Sequence, residues 1–299
     1  MDIAINTGAL RRIRRTLLLT ATSFLFLNSL PALSEQVDAK LPNGVVAIAN
    51  FHNGVNSLPA VITLHGFLQT HHSPPMSSLA SNLSSRGYTV LSPTMSLNIN
   101  HRSQSMACEA VHTHTMDSEV DEISYWVSWL NTKGYKNIVL VGFSSSGNIA
   151  ALLLGARKSQ PSIKHIILTS LNPMLIETAE RQKMRDILTS ARNKIGKNLE
   201  QVSLSYCKKN YTTTAKNYLS YATYDHNKII ELVKDNPVPT EIILGTADTI
   251  LPVNWVEKVS GLNTLNHVTV IKNASHFFDD THEFYLAEAV ENTLKKYFP

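Results

Sequence analysis

Three residues of this 299-residue chain could together activate a hydroxyl: Ser144, Asp248 and His276. A serine hydroxyl is a weak nucleophile until an imidazole takes its proton, and a carboxylate can fix the imidazole tautomer and stabilise its cation. Each follows a short strand-like run. Ser144 comes after Ile138-Val139-Leu140-Val141-Gly142-Phe143, Asp248 after Glu241-Ile242-Ile243-Leu244-Gly245-Thr246-Ala247, and His276 after His267–Ile271. The chain has 12 histidines, so one histidine alone carries little weight. The order Ser, Asp, His, each at the end of its own strand, carries the reading. Asp225, Asp279 and Asp280 are the alternative acids.

Around Ser144 an apolar run enters a tight turn and then an Ala- and Leu-rich stretch, Gly147-Asn148-Ile149-Ala150-Ala151-Leu152. Small flanking residues let strand and helix approach, and the turn lifts the serine above a sheet. The pattern G-x-S-x-G is met only in part, because Ser146 stands at the second glycine position and Gly147 lies one further on. Ser145 and Ser146 are therefore rival nucleophiles, though Ser144 alone lies two residues past Gly142. Upstream, Val61-Ile62-Thr63-Leu64-His65-Gly66-Phe67 is a strand ending in His-Gly. The backbone amide of Phe67, with that of Ser145 at a helix start, could receive an oxyanion. His65 itself reads as structural.

These residues need a scaffold that brings strand ends together. Strands are expected at Val45–Phe51, Val61–Leu64, Thr89–Ser92, Ile138–Val141, His165–Thr169, Glu241–Leu244 and His267–Ile271. Most are nearly continuous apolar runs, as in strands buried on both faces. Helices are expected at Met76–Arg86, Asp117–Thr132, Ser145–Lys158, Asn254–Ser260 and His282–Tyr297. The alternation predicts an α/β domain over 35–299, a mostly parallel sheet flanked by helices. Residues 173–235 show no convincing strand and read as a small helical cap inserted over the C-terminal edge of the sheet.

The chain resembles the α/β-hydrolase superfamily from about Val45 to Pro299. The matching elements are His65-Gly66-Phe67, Gly142-Phe143-Ser144-Ser145-Ser146-Gly147, Gly245-Thr246-Ala247-Asp248 and Ala274-Ser275-His276-Phe277. That resemblance implies serine-type hydrolysis of esters, thioesters or amides through an acyl-enzyme, with no cofactor and no metal. Carboxylic-ester hydrolysis is the first expectation and a peptidase or amidase the second. A non-catalytic ligand-binding member of the fold is the third, since the fold alone names no substrate.

Residues 1–34 combine Arg11, Arg12, Arg14 and Arg15 with an apolar run and a small-x-small exit, Ala32-Leu33-Ser34. This is the pattern of a secretory signal, with an uncleaved N-terminal anchor as the alternative. Export would place the protein in the periplasm or outside the cell. The leader carries +3 of the chain's +4, so the mature part is near +1 and offers no basic patch for nucleic acid. No tract beyond the leader is long and apolar enough for a membrane span. The expected partner is a small-molecule ester or acyl substrate; oligomeric state is not encoded. An oxidising compartment would allow a disulfide between Cys108 and Cys207, the alternative being two separate thiols. Cys108-x3-His112-x-His114 lacks the paired spacing of common zinc sites. His112, His114 and His71 are instead expected to line the substrate pocket. The acidic run Asp117–Glu122 reads as charge complementing a helix dipole.

Overall fold

Strands covered on both faces can be apolar throughout, and this chain builds its centre from such runs. The structure, a computed structural model, describes Met1 and residues 34–157, 159–190 and 198–299. The leader expected over 1–34 lies outside the described residues except at its two ends. In chain order the elements are β1 (Glu35–Lys40), β2 (Val46–His52), β3 (Ala60–Leu64), α1 (Met76–Ser85), β4 (Thr89–Thr94), α2 (Met116–Thr132), β5 (Ile138–Phe143), α3 (Ser144–Gly155) and β6 (Ile163–Thr169). Then follow α4 (Thr178–Ser190), β7 (Leu199–Leu204), β8 (Cys207–Thr214), α5 (Ala215–Ala222), α6 (His226–Asp235), β9 (Thr240–Gly245), α7 (Trp255–Val259), β10 (Asn266–Ile271) and α8 (His282–Tyr297).

The main sheet has the order β1-β2-β4-β3-β5-β6-β9-β10. Its β1/β2 and β2/β4 pairs are antiparallel and the other pairs parallel. Every residue of β3, β4, β5 and β9 is buried. Alternate residues serve opposite faces. Val139 and Val141 pack with Leu79 and Leu83 of α1 and Val290 and Leu294 of α8. Leu140, Ile62 and Leu168 pack with Trp126 of α2, Leu152 of α3 and Tyr221 of α5. Among the described residues no helix is long and apolar enough to cross a membrane.

The segment 173–235, expected to be helical, is mixed. Helices α4, α5 and α6 are present, but β7 and β8 form a separate antiparallel hairpin. Leu204 pairs with Cys207, which leaves Ser205-Tyr206 as a two-residue turn. The charged residues Lys208 and Lys209 obscured this hairpin, whereas the run Tyr211-Thr212-Thr213-Thr214 is rich in residues that favour strands. The acidic start of α2 also needs correction. Asp117 and Asp121 are exposed, but Glu119 and Glu122 are buried.

Cys108 and Cys207 are joined by a disulfide, with Cα atoms 5.5 Å apart and a sequence separation of 99. The bond ties the loop before α2 to the hairpin. Opening it, by reductant or by double substitution to alanine, is expected to cost about 4–5 kcal/mol, the scale for a loop of roughly 100 residues. Urea midpoints with and without reductant check this; an unchanged midpoint would show that the bond does not stabilise the fold.

Candidate active site

The C-terminal ends of β3, β5, β6, β9 and β10 converge on one edge of the sheet, where open α/β sheets form their sites. Ser144 is the first residue of α3 and has φ of 58°, in the left-handed region that costs a side-chain-bearing residue energy. The turn is tight because α3 presses against the end of β3. A Cβ on Gly147 would lie 2.6 Å from the Leu64 carbonyl oxygen and 2.8 Å from that of His65. Gly147 thus supplies the close approach, and Ser146 is free to carry a hydroxyl.

His276 Nε2 is 2.9 Å from Ser144 Oγ, and its Nδ1 is 2.7 Å from Asp248 Oδ2. The other carboxylate oxygen, Oδ1, accepts from the Ile250 amide at 2.9 Å. The Asp248 and His276 loops meet because Gly245 has no side chain: a Cβ there would stand 2.2 Å from the Ala274 carbonyl oxygen. The Ser170 hydroxyl donates to the His276 carbonyl at 2.7 Å.

Among the described residues none of the rivals hydrogen-bonds to the His276 ring. Ser145 Oγ is buried without a hydrogen-bond partner among the described residues, and Ser146 Oγ donates to Glu119 at 2.6 Å. Asp225 caps α6 and pairs with Arg181, and Asp279 accepts from Ser275. Neither Asp225 nor Asp279 hydrogen-bonds to His276.

Two backbone amides beside the serine are without an acceptor among the described residues. The Ser145 N–H lies in the first turn of α3, where the chain offers no intrahelical acceptor. The Phe67 N–H has no acceptor among the described residues, and the neighbouring Gly66 N–H is taken by the Gln69 side chain at 3.1 Å. Buried groups hold this loop. His65 donates from Nδ1 to the Gly66 carbonyl at 2.8 Å, and its Nε2 accepts from the Met95 amide at 3.0 Å. Burial, helped by Arg102, pushes its pKa down to about 3 and keeps the ring neutral. Arg102 donates to the carbonyls of Met95, Gln104 and Gln69 at 2.6–2.8 Å.

A cavity of about 280 Å³ opens on Ser144 and His276. Its walls are largely apolar: Phe67, Phe143, Ile250 and Phe277 from the main domain, with Leu175 and Tyr206 from the insertion. Asn172, just beyond β6, places Oδ1 3.2 Å from Ser144 Oγ while its Nδ2 donates to the Pro173 carbonyl at 3.1 Å. It offers the serine proton a second acceptor in the resting site. The sequence reading passed over Asn172; the available signal was a polar residue between a buried strand end and a proline.

The three histidines expected in the pocket are elsewhere. His71 lines a separate cavity with His52 and His72, and its Nδ1 is 2.5 Å from Thr94 Oγ1. His112 and His114 are fully buried. His112 stacks on Tyr211 at 4.0 Å, and its Nε2 is 3.1 Å from the Cys108 carbonyl. Contacts with the insertion, the Tyr211 ring for His112 and the Tyr221 hydroxyl for His114, hold these two rings in the interior. Sequence position put them near the site without showing which way they turn.

Residues 59–215 match the sequence profile described as the alpha/beta hydrolase fold. No curated protein is similar enough in sequence to count as a relative. Solved structures share the architecture. Est1E from Butyrivibrio proteoclasticus is 17% identical with a TM-score of 0.61, the match covering 88% of this chain and 98% of that one. The alpha/beta hydrolase GrgF from Penicillium sp. sh18 is 14% identical with a TM-score of 0.68, covering 89% and 99%. The Pyrococcus furiosus esterase Pf2001 is 18% identical with a TM-score of 0.58, covering 89% and 93%. At these identities the likeness is one of fold.

Proposed function

Because the chain belongs to the alpha/beta hydrolase fold family, we propose that it is an exported serine hydrolase that cleaves carboxylic esters through an acyl-enzyme on Ser144. The observation carrying this reading is the unbroken line from Ser144 Oγ to His276 to Asp248, at 2.9 and 2.7 Å. His276 Nε2 takes the hydroxyl proton as Oγ attacks the carbonyl carbon. Asp248 holds the other ring nitrogen and stabilises the imidazolium. The carbonyl oxygen becomes an oxyanion between the amides of Phe67 and Ser145; one such donor is worth about 3–4 kcal/mol where it has been removed. His276 then protonates the departing alcohol, and water repeats the sequence to release the acid. The apolar walls of the cavity favour an acyl or aryl group over a charged one.

Export is supported by the leader pattern of residues 1–34 and by the disulfide, which an oxidising compartment maintains. The segment 173–235 serves as the cap, since it contributes Leu175, Ser205 and Tyr206 to the cavity wall.

A fluorophosphonate probe should label the purified protein at Ser144, mapped by mass spectrometry, and 4-nitrophenyl esters should be hydrolysed faster than matched anilides. Faster anilide cleavage would make it an amidase or peptidase. A folded protein that neither labels nor turns over either substrate would be a ligand-binding member of the fold.

A further inference from the structure

Helix α2 carries Glu119 into the interior, where it is 4% exposed, and the reaction as described does not use it. A lone carboxylate there would be costly, so its partners matter. Glu119 Oε2 accepts from Ser146 Oγ at 2.6 Å, and Oε1 accepts from the hydroxyl of Tyr221, a buried residue of α5. The chain of contacts continues. His114 Nδ1 is 2.5 Å from the Tyr221 oxygen, His112 Nδ1 is 3.3 Å from His114 Nε2, and His112 Nε2 is 3.1 Å from the Cys108 carbonyl oxygen.

The directions of these bonds follow from the ends. A carbonyl only accepts, so His112 donates from Nε2 and accepts at Nδ1, which needs a proton on His114 Nε2. Tyr221 gives its single proton to Glu119, so its oxygen accepts from His114 Nδ1. His114 Nδ1 also lies 3.6 Å from Glu119 Oε1, with the phenol oxygen touching both. Burial and the neighbouring His114 push the His112 pKa down to about 4, which keeps that second ring neutral. Burial alone would raise the Glu119 pKa, but the nearby His114 and the hydrogen bonds from Ser146 and Tyr221 outweigh it and hold the group below the usual carboxylate range.

Tyr221 has a second contact. Its ring packs edge-on against Phe67, with centroids 5.7 Å apart. One residue of the insertion thus touches both amide-bearing segments: Phe67 directly, and the first turn of α3 through Glu119 and Ser146. We propose that Tyr221 and Glu119 are positioning residues for the oxyanion hole, coupling the insertion's seating to the alignment of the Phe67 and Ser145 amides. This rests on Ser144 being the nucleophile. Ser146 takes the place of a pattern glycine because its hydroxyl is the link.

The test uses Tyr221→Phe, which keeps the ring on Phe67 and removes only the hydroxyl, together with Ser146→Ala and the double variant. Each single change is expected to lower kcat for a 4-nitrophenyl ester roughly tenfold with KM unchanged, a fraction of what losing a whole oxyanion donor costs. Affinity for a trifluoromethyl ketone, which Ser144 converts to a charged tetrahedral adduct, should weaken in parallel. The double variant should be no worse than the weaker single, since both cut one chain. Folded variants with lower melting temperatures but wild-type kcat and inhibitor affinity would show mere scaffolding and overturn the proposal, as would additive losses. Should Tyr221→Phe not fold, Ser146→Ala decides by the same kcat and inhibitor readings. A wild-type protein that is neither labelled nor active would remove the nucleophile itself, a result separate from failure of this coupling.

Discussion

Replacing Ser144 with alanine is expected to lower kcat on the order of 10⁶-fold, the scale seen when the nucleophile of a serine triad is removed. The loss should fall on kcat and leave KM nearly unchanged, because the hydroxyl contributes to bond formation more than to substrate binding. The fold should survive. Alanine replaces serine at the same strained φ of 58°, and the hydrogen bonds given up are those to His276 and Asn172. Fluorophosphonate labelling should vanish with activity. Ser145→Ala is the matched control: that hydroxyl is buried without a partner, so its loss should change kcat only a few-fold. If Ser145→Ala abolished turnover and Ser144→Ala did not, the nucleophile would have been placed one residue out of register. Steady-state kinetics on one ester, with circular dichroism to confirm folding, decide between these outcomes.

The second large effect is expected for Asp248→Asn, a loss of about 10⁴-fold in kcat by the logic of the wrong tautomer. The local bonds dictate how the amide must sit. Asp248 Oδ1 accepts from the Ile250 amide, so the asparagine carbonyl stays there and its Nδ2 faces His276. A donor at that place requires a bare Nδ1, which moves the histidine proton to Nε2. That nitrogen can then no longer take the proton of Ser144. Volume and hydrogen-bond count are nearly unchanged, so stability should move little. Asp279→Asn, on the same loop as His276 but bonded to Ser275, should stay within a few-fold of wild type. Undiminished kcat in Asp248→Asn would sink the acid assignment.

Much of the scaffold was legible along the chain. Helix α8 spans the predicted His282–Tyr297, and the seven expected strands are all present, because continuous apolar runs and 3.6-residue spacing are properties of neighbouring residues. The hairpin β7–β8 was not legible in the same way. Its strands are half-exposed and β8 carries two lysines, so no apolar run marks them, and their pairing depends on the core side that buries Val202, Leu204 and Tyr211. Glu119 gave a partial signal. It lies three residues after Met116 and four before Ile123, on the face that helical spacing marks as buried.

The chemistry divides along the same line. By itself the sequence determined which residue types stand at the strand ends and in what order: Ser144, Asp248 and His276, with Phe67 and Ser145 at the positions proposed for the oxyanion amides. Those follow from local turns, since a strand that stops and a helix that starts fix the backbone within a few residues. Only the tertiary structure decided where side chains point once segments far apart in the chain are packed together. It brought Asn172 to Ser144, turned His112 and His114 into the interior, and set Tyr221 on Glu119 across 102 residues. Such bonds depend on side-chain direction and on what is left unsatisfied after the core has closed, and neither is a property of any short stretch of sequence.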